Sequence, residues 1–256
     1  MRRLMFLLTV CMTLILLAPR LAPFDPMRTD TTSALHPPDA LHLLGTDHLG
    51  RDVLSRVLYG SQRTLFVAGS AATTALLIGV LLGMALSGWP VVRRLLMPLI
   101  TALLALPSLL LALVLLTVWG QSLAPLIAAL IVPQVPVVAQ TIQSAIRPLA
   151  AADYVTASRS SGAARHQVLR WHIWPNLMPF VQRYAGILFS QMLFQAGALS
   201  LLGLGGEVGI PDWGAMLADG RQSFLYAPWT VLAPGLLMVG CVVGVNWVLN
   251  RDQNRG

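Results

Sequence analysis

The sequence predicts an all-α membrane protein with about six transmembrane helices, and three observations carry that prediction. Of the 256 residues, 56% are hydrophobic and 11% are charged. A soluble domain carries about 25% charged residues, so this chain cannot cover a water-facing surface. Its apolar residues fall into six runs, each close to the roughly 20 residues a helix needs to cross about 30 Å of hydrocarbon. Arg residues gather beside those runs rather than on one basic face, so a pI near 10.7 reflects membrane topology and not nucleic-acid binding.

The first run, Leu4–Leu21, follows Arg2-Arg3. A basic start and an apolar body also fit a cleaved signal peptide, but five further spans favour a retained helix. The stretch after it, about residues 22–64, begins Pro-rich and polar and then reads LLGTDHLGRDVLSRVLYG. Thr46 or Asp47 is placed to cap a short helix. Val53, Leu54, Val57 and Leu58 share one face of it, with Arg51, Asp52, Ser55 and Arg56 elsewhere. The expectation is an amphipathic helix on the outer membrane surface or on the bundle, acting as a structural lid.

The remaining spans are Leu65–Ser87, Leu95–Val118 with Pro98 and Pro107, Leu123–Ile146 with Pro125, Pro133 and Pro136, Phe180–Leu202, and Trp229–Leu249 with Pro234. Residues 1–64 thus hold the first span and the outer loop, and 65–256 hold the core of the other five spans. Gly79-x-x-x-Gly83 and Gly240-x-x-x-Gly244 have the spacing that lets helix backbones approach in lipid. The prolines within Leu123–Ile146 free backbone carbonyls, which are tolerated only where protein or water satisfies them. They mark either a kink beside a polar pathway or a packing kink.

Every one of the 17 basic residues is Arg. With the N-terminus in the cytoplasm, ten of them fall inside (Arg2, Arg3, Arg93, Arg94, Arg147, Arg159, Arg165, Arg170, Arg251, Arg255) and six outside. Eight of the ten acids fall outside, leaving Asp153 and Asp252 within. This is the positive-inside pattern, with both termini cytoplasmic. Trp89, Trp119, Trp229 and Trp247 fall at span ends, where an indole prefers to sit.

No span contains an acid, so the proton relay of an ion-coupled carrier has no carboxylate to use. Arg183, at a span mouth, is expected to snorkel to the interface. The polar groups within or near spans are Gln134, Gln140, Gln143, Ser190, Gln191, Gln195 and Asn246. Hydrogen bonding between helices and lining of a translocation path are both open to them. Cys11 and Cys241 sit in apolar runs as small hydrophobes. His36, His42 and His48 recur at six-residue spacing in the outer loop and could hold a soft divalent metal, but solvated loop histidines are the default. No constellation for catalysis is present. A phosphate-cradling loop needs a Lys, and the chain has none; if ATP drives transport, the ATPase is another chain.

One polar island interrupts the apolar pattern, Tyr154 to Pro179, YVTASRSSGAARHQVLRWHIWPNLMP. Pro148–Ser161 is expected to form a short helix, Gly162 to break it, Ala163–Ile173 to resume as a second helix, and Pro175 to stop that. A basic and aromatic helix–Gly–helix elbow suits docking into a groove on a soluble partner; an interfacial amphipathic hairpin with no partner is the other reading.

At these residues the chain resembles the inner-membrane permease subunits of ATP-binding-cassette importers, with Thr156-Ala157-Ser158, Gly162 and Pro175 at the positions of their cytoplasmic coupling loop (147–179 here). Thr156 stands in place of that pattern's Glu and Ser158 in place of its second Ala. LGTDHLGRDVLSRVLYG, LSLLGLG, PDWGAMLADGR and APWTVLAPGL resemble the second permease chain of dipeptide, oligopeptide and nickel importers, with a lean toward nickel or a metal chelate from residues 37–52. The resemblance implies a type I importer fold in the bacterial inner membrane. It implies a heterodimer with a similar permease, two ATPase subunits holding ATP and Mg, and a periplasmic binding protein that delivers substrate. It places coupling on Ala157, Gly162, Ala163, Arg165, Val168, Arg170 and His172, and leaves Gln134, Gln140, Ser190, Gln191 and Gln195 as path candidates. A proton-coupled carrier and a non-transporting scaffold are the alternatives.

Overall fold

In the computed structural model, residues 20–205 and 209–250 are described. The first predicted span, Cys11, Glu207 and the terminal arginines Arg2, Arg3, Arg251 and Arg255 lie outside them. Among the described residues the chain is helical, and an isolated antiparallel bridge joins Thr46 to Asp52. Four helices among the described residues are long and apolar enough to cross a membrane, or five if one bent pair counts as a span.

Helix α1, Val53–Gly88, starts where the Asp52 carboxylate accepts the Ser55 N–H and runs unbroken for 36 residues. At 1.5 Å per residue it is about 54 Å long, well beyond the hydrocarbon thickness. The predicted lid helix is therefore corrected: its residues are the first turns of α1, projecting beyond the membrane. The cap is Asp52 rather than Thr46 or Asp47. Trp89 is extended (φ −128°, ψ 110°), as the residue before a proline must be, and Pro90 opens α2, Pro90–Leu104.

Helix α3, Ser108–Trp119, follows Pro107. The predicted span Leu95–Val118 is thus not one rod: α2 and α3 meet at 92°. Pro107 has no N–H to continue the α2 ladder and bars Leu106 from helical geometry. Helix α4, Leu123–Ala150, keeps Pro133, Pro136 and Pro148 within it. Two short helices follow, α5, Asp153–Ser160, and α6, Arg165–Val168. A wide π turn, Leu169–Ile173, then feeds α7, Trp174–Leu201. Pro175 does not stop this helix. The Trp174 N–H bonds back to the Leu169 carbonyl, and the widened turn relieves the clash a proline ring makes with the carbonyl four residues earlier. Arg165–Leu201 is accordingly one 37-residue segment. Helix α8, Trp213–Gly220, is capped by Asp212, and α9, Trp229–Asn250, is the last span.

The core is the seam between α1 and α4, with α7 laid across both. Here Gly79 and Gly83 act as their spacing predicts. A Cβ on Gly79 would stand 2.5 Å from Val138, and one on Gly83 2.7 Å from the Ala139 carbonyl oxygen. The second glycine pair differs: nothing lies within 4 Å of a Cβ on Gly240 or Gly244, so it packs against no described part of this chain.

These two glycine pairs should therefore respond differently to the same change. Gly79→Leu should destabilise the bundle by roughly 1–3 kcal/mol or more, seen as a lower unfolding temperature in detergent. Gly240→Leu should leave that temperature unchanged in the isolated chain.

Candidate functional site

The polar island lies at one end of the bundle and is anchored from beneath. Val155, Val168 and Ile173 are buried, fastening α5, α6 and the π turn to the ends of the spans. Gly162 makes the elbow with φ +85°, a left-handed conformation that side-chain-bearing residues avoid. The Ala164 N–H then donates to Gln167 Oε1 at 2.8 Å and starts α6. Asn176 Nδ2 donates to the His172 carbonyl at 2.7 Å and reaches Tyr154 Oη at 3.4 Å. The Tyr154 and His172 rings lie 6.0 Å apart, so α5 is tied to the π turn across the elbow. Arg165 Nη1 donates to the Gly88 carbonyl at 3.3 Å, tying the island to the end of α1.

Of the residues the sequence assigns to coupling, Ala157, Gly162, Arg165 and Arg170 are exposed, and Ala163 and His172 half-buried. Val168, 2% exposed, faces the core and serves as an anchor rather than a contact surface. The outward face also carries Trp171, 66% exposed, with the Arg170 guanidinium 5.4 Å from its ring centroid. Tyr154 and Trp171 had no place in the sequence-level set; their aromatic character on a polar segment was the available signal. The arrangement is a stiff cationic and aromatic surface continuous with a span.

Within the bundle the polar side chains pair across helices. Gln134 on α4 is buried and donates through Nε2 to Gln191 Oε1 on α7 at 3.0 Å. Gln195 Nε2 donates to Ser108 Oγ on α3 at 3.4 Å. Asn246 Nδ2 on α9 donates to Ser190 Oγ at 2.8 Å, and that hydroxyl donates to the Gly186 carbonyl. Gln140 is exposed on α4 and stands apart from these pairs. Helix α7 is thus hydrogen-bonded to α3, α4 and α9.

The other end is held by a clamp that periodicity did not reveal. Asp47 Oδ2 accepts from Arg51 Nε at 2.7 Å and from Arg56 Nη1. Both guanidiniums reach on to Asp219 Oδ2 on α8, each at 3.2 Å. Two arginines and two aspartates so join the loop before α1, the start of α1 and α8. Burial alone would raise the Asp47 carboxyl, but Arg56 and Arg51 outweigh it, helped by the backbone N–H groups of Arg51 and Leu49, and hold it below the ordinary 3.8. Burial raises Asp212, the cap of α8. Trp229 Nε1 donates to the Thr46 carbonyl and Trp213 Nε1 to the Val57 carbonyl, both at 3.0 Å. The spacing of Asp47 and Arg51 is visible in sequence; their partner in α8, 168 residues beyond Arg51, is not. His42 Nδ1 lies 2.9 Å from Asp52 Oδ1, while His36 and His48 are exposed. Among the described residues no group of three or more His, Cys, Asp or Glu side chains is placed to hold a metal.

Comparison with known proteins places this geometry in a family. The model of the family described as "Binding-protein-dependent transport system inner membrane component" matches residues 75–251. A di/tripeptide transport system permease protein of Pseudomonas aeruginosa is 37% identical over 239 residues, covering 90% of this chain and 78% of that one. A dipeptide transport system permease protein of Alkalihalophilus pseudofirmus is 32% identical over 248 residues, covering 95% and 81%. An inward-facing structure of the MetNI methionine transporter superposes with a TM-score of 0.65 at 18% identity, covering 76% of this chain and 93% of that one; it shares the fold.

Removing the clamp's central carboxylate leaves two buried cations with only the part-exposed Asp219 carboxylate to share. Asp47→Ala should cost about 3–5 kcal/mol, whereas Asp219→Asn, at a half-exposed carboxylate, should cost about 1 kcal/mol or less. Because the folded Asp47 titrates below 3.8, its contribution is complete above that pH and is lost as pH falls through the lower folded value. Thermal unfolding in detergent, followed from pH 7 to pH 3 for both variants, measures each effect.

Proposed function

The chain belongs to the family of binding-protein-dependent transport system inner membrane components, and on that premise we propose that it is a permease subunit of an ATP-driven importer of short peptides. The peptide assignment rests on the relatives, whose names specify dipeptides and di/tripeptides. The lean toward nickel or a metal chelate finds no support in them. The observation that carries the importer mechanism is the unbroken segment Arg165–Leu201, which joins the island to a span without a hinge.

In this reading the island faces the cytoplasm, the arginine-rich side of the membrane, and receives ATPase subunits that hold ATP and Mg. A similar permease completes the pathway, and a binding protein delivers peptide from outside. Ala157, Arg170, His172 and Trp171 form the docking surface; Gly162 sets the angle between its two halves, with Ala163 and Val168 seating it. When the ATPases close, displacement of the island passes through the π turn into α7. The Gln134–Gln191, Gln195–Ser108 and Asn246–Ser190 bonds then break and re-form as α7 shifts against its neighbours. Such amide and hydroxyl pairs are worth only about 0.6 kcal/mol each in a membrane, so the cycle is not locked. Gln140 and Gln191, both exposed on this chain, are the candidates to meet the peptide backbone.

The test is ATP hydrolysis and uptake by the complete complex reconstituted with its binding protein. A dipeptide mixture should stimulate both, and nickel–histidine should stimulate neither; uptake that persists without the ATPase chains would refute the importer reading. Gly162→Val should reduce uptake about tenfold or more while the complex still assembles, because a left-handed β-branched residue costs about 1–3 kcal/mol and distorts the elbow.

A further inference from the structure

Between the end of α1, the end of α4 and the island lies an open cavity of about 400 Å³. Four guanidiniums line it, those of Arg93, Arg147, Arg159 and Arg165, and no acid does. Among the described residues none of the four has a carboxylate partner; Arg165 donates to the Gly88 carbonyl. A guanidinium does not discharge at any physiological pH, so four of them around one space repel one another until an anion enters. Their planar forks match the oxygens of a phosphate. The cavity sits level with the ends of α1 and α4. On the other side of Leu169 a largely apolar groove of about 350 Å³ runs along Leu81, Met84, Trp89 and Trp174, with His166 and Arg170 also on its wall. Leu169 is a wall of both spaces.

We infer that this pair of spaces binds an anionic phospholipid of the adjoining leaflet, its phosphate among the four arginines and an acyl chain along the groove. A free phosphate, or a carboxylate from a partner protein, would use the cationic cavity alone and leave the groove without a function. The lipid accounts for both. The inference depends neither on the orientation of the chain in the membrane nor on the identity of the transported substrate.

The test is native mass spectrometry of the detergent-solubilised complex, titrated with dioleoylphosphatidylglycerol, dioleoylphosphatidylcholine or inorganic phosphate. The phosphatidylglycerol should be retained in preference to phosphatidylcholine. Arg147→Gln/Arg159→Gln should weaken its retention about thirtyfold; Arg147→Lys/Arg159→Lys should keep most of it, and Arg94→Gln, outside the cavity, all of it. Equal retention of the two lipids, or retention unaffected by the Gln pair, would overturn the inference. So would inorganic phosphate that binds as well as phosphatidylglycerol. Loss of the ATPase subunits in the Gln pair with lipid retention intact would assign the arginines to a protein partner instead. If the Gln pair fails to assemble, the preference of the unaltered complex between the lipids and phosphate still decides.

Discussion

With hydrocarbon outside and hydrocarbon-like side chains inside, burial of apolar surface does little to hold one helix against another in a membrane. Close contact has to do it, and close contact needs small residues. In this chain that requirement is met at Gly79 and Gly83, where α1 rests on Val138, Ala139 and Ile142 of α4. The other large elements attach to that pair: α7 packs on both, α3 on α4, and α9 on α7. Separating α1 from α4 would take away the surface on which the rest is arranged.

The two ends of this scaffold are fixed by different physics. At the clamp end, charges are buried against one another: Asp47, Arg51 and Arg56 are each less than a tenth exposed and depend on mutual compensation. At the island end, apolar anchors hold arginines that, among the described residues, have no carboxylate partner. Paired charges brace one end of the bundle, and the other end presents a surplus of arginine.

Much of this was legible in the sequence. Run length located four of the six predicted spans, because hydrocarbon thickness translates directly into residue number, and Leu123 and Trp229 mark helix starts as expected. The island was legible because eleven polar side chains between Tyr154 and Pro179 interrupt an otherwise apolar chain, and Gly162 sits at its elbow. Three things were not legible. The outer residues 53–64 have the periodicity of a separate amphipathic helix, and periodicity cannot say whether a helix ends before the next one begins. Pro107 and Pro175 are the same residue in similar surroundings, yet one breaks a span by 92° and the other rides inside a helix. The difference lies in the wide turn before Pro175. The clamp was hidden because Asp219 meets Arg51 and Arg56 only through the fold.

That wide turn has a geometric consequence. A π turn holds one residue more than the α turn it replaces, so it shifts the angular phase of everything before it relative to everything after it by about 100°. Arg170 and Trp171 therefore look in a different direction from the one that counting back from Gln191 along a regular helix would assign. The outward face of the island and the polar face of α7 are keyed to each other by a single inserted residue. Along this segment, alignment in register counts for as much as side-chain identity: a relative with the same residues and one fewer in Leu169–Ile173 would present them to a different neighbour.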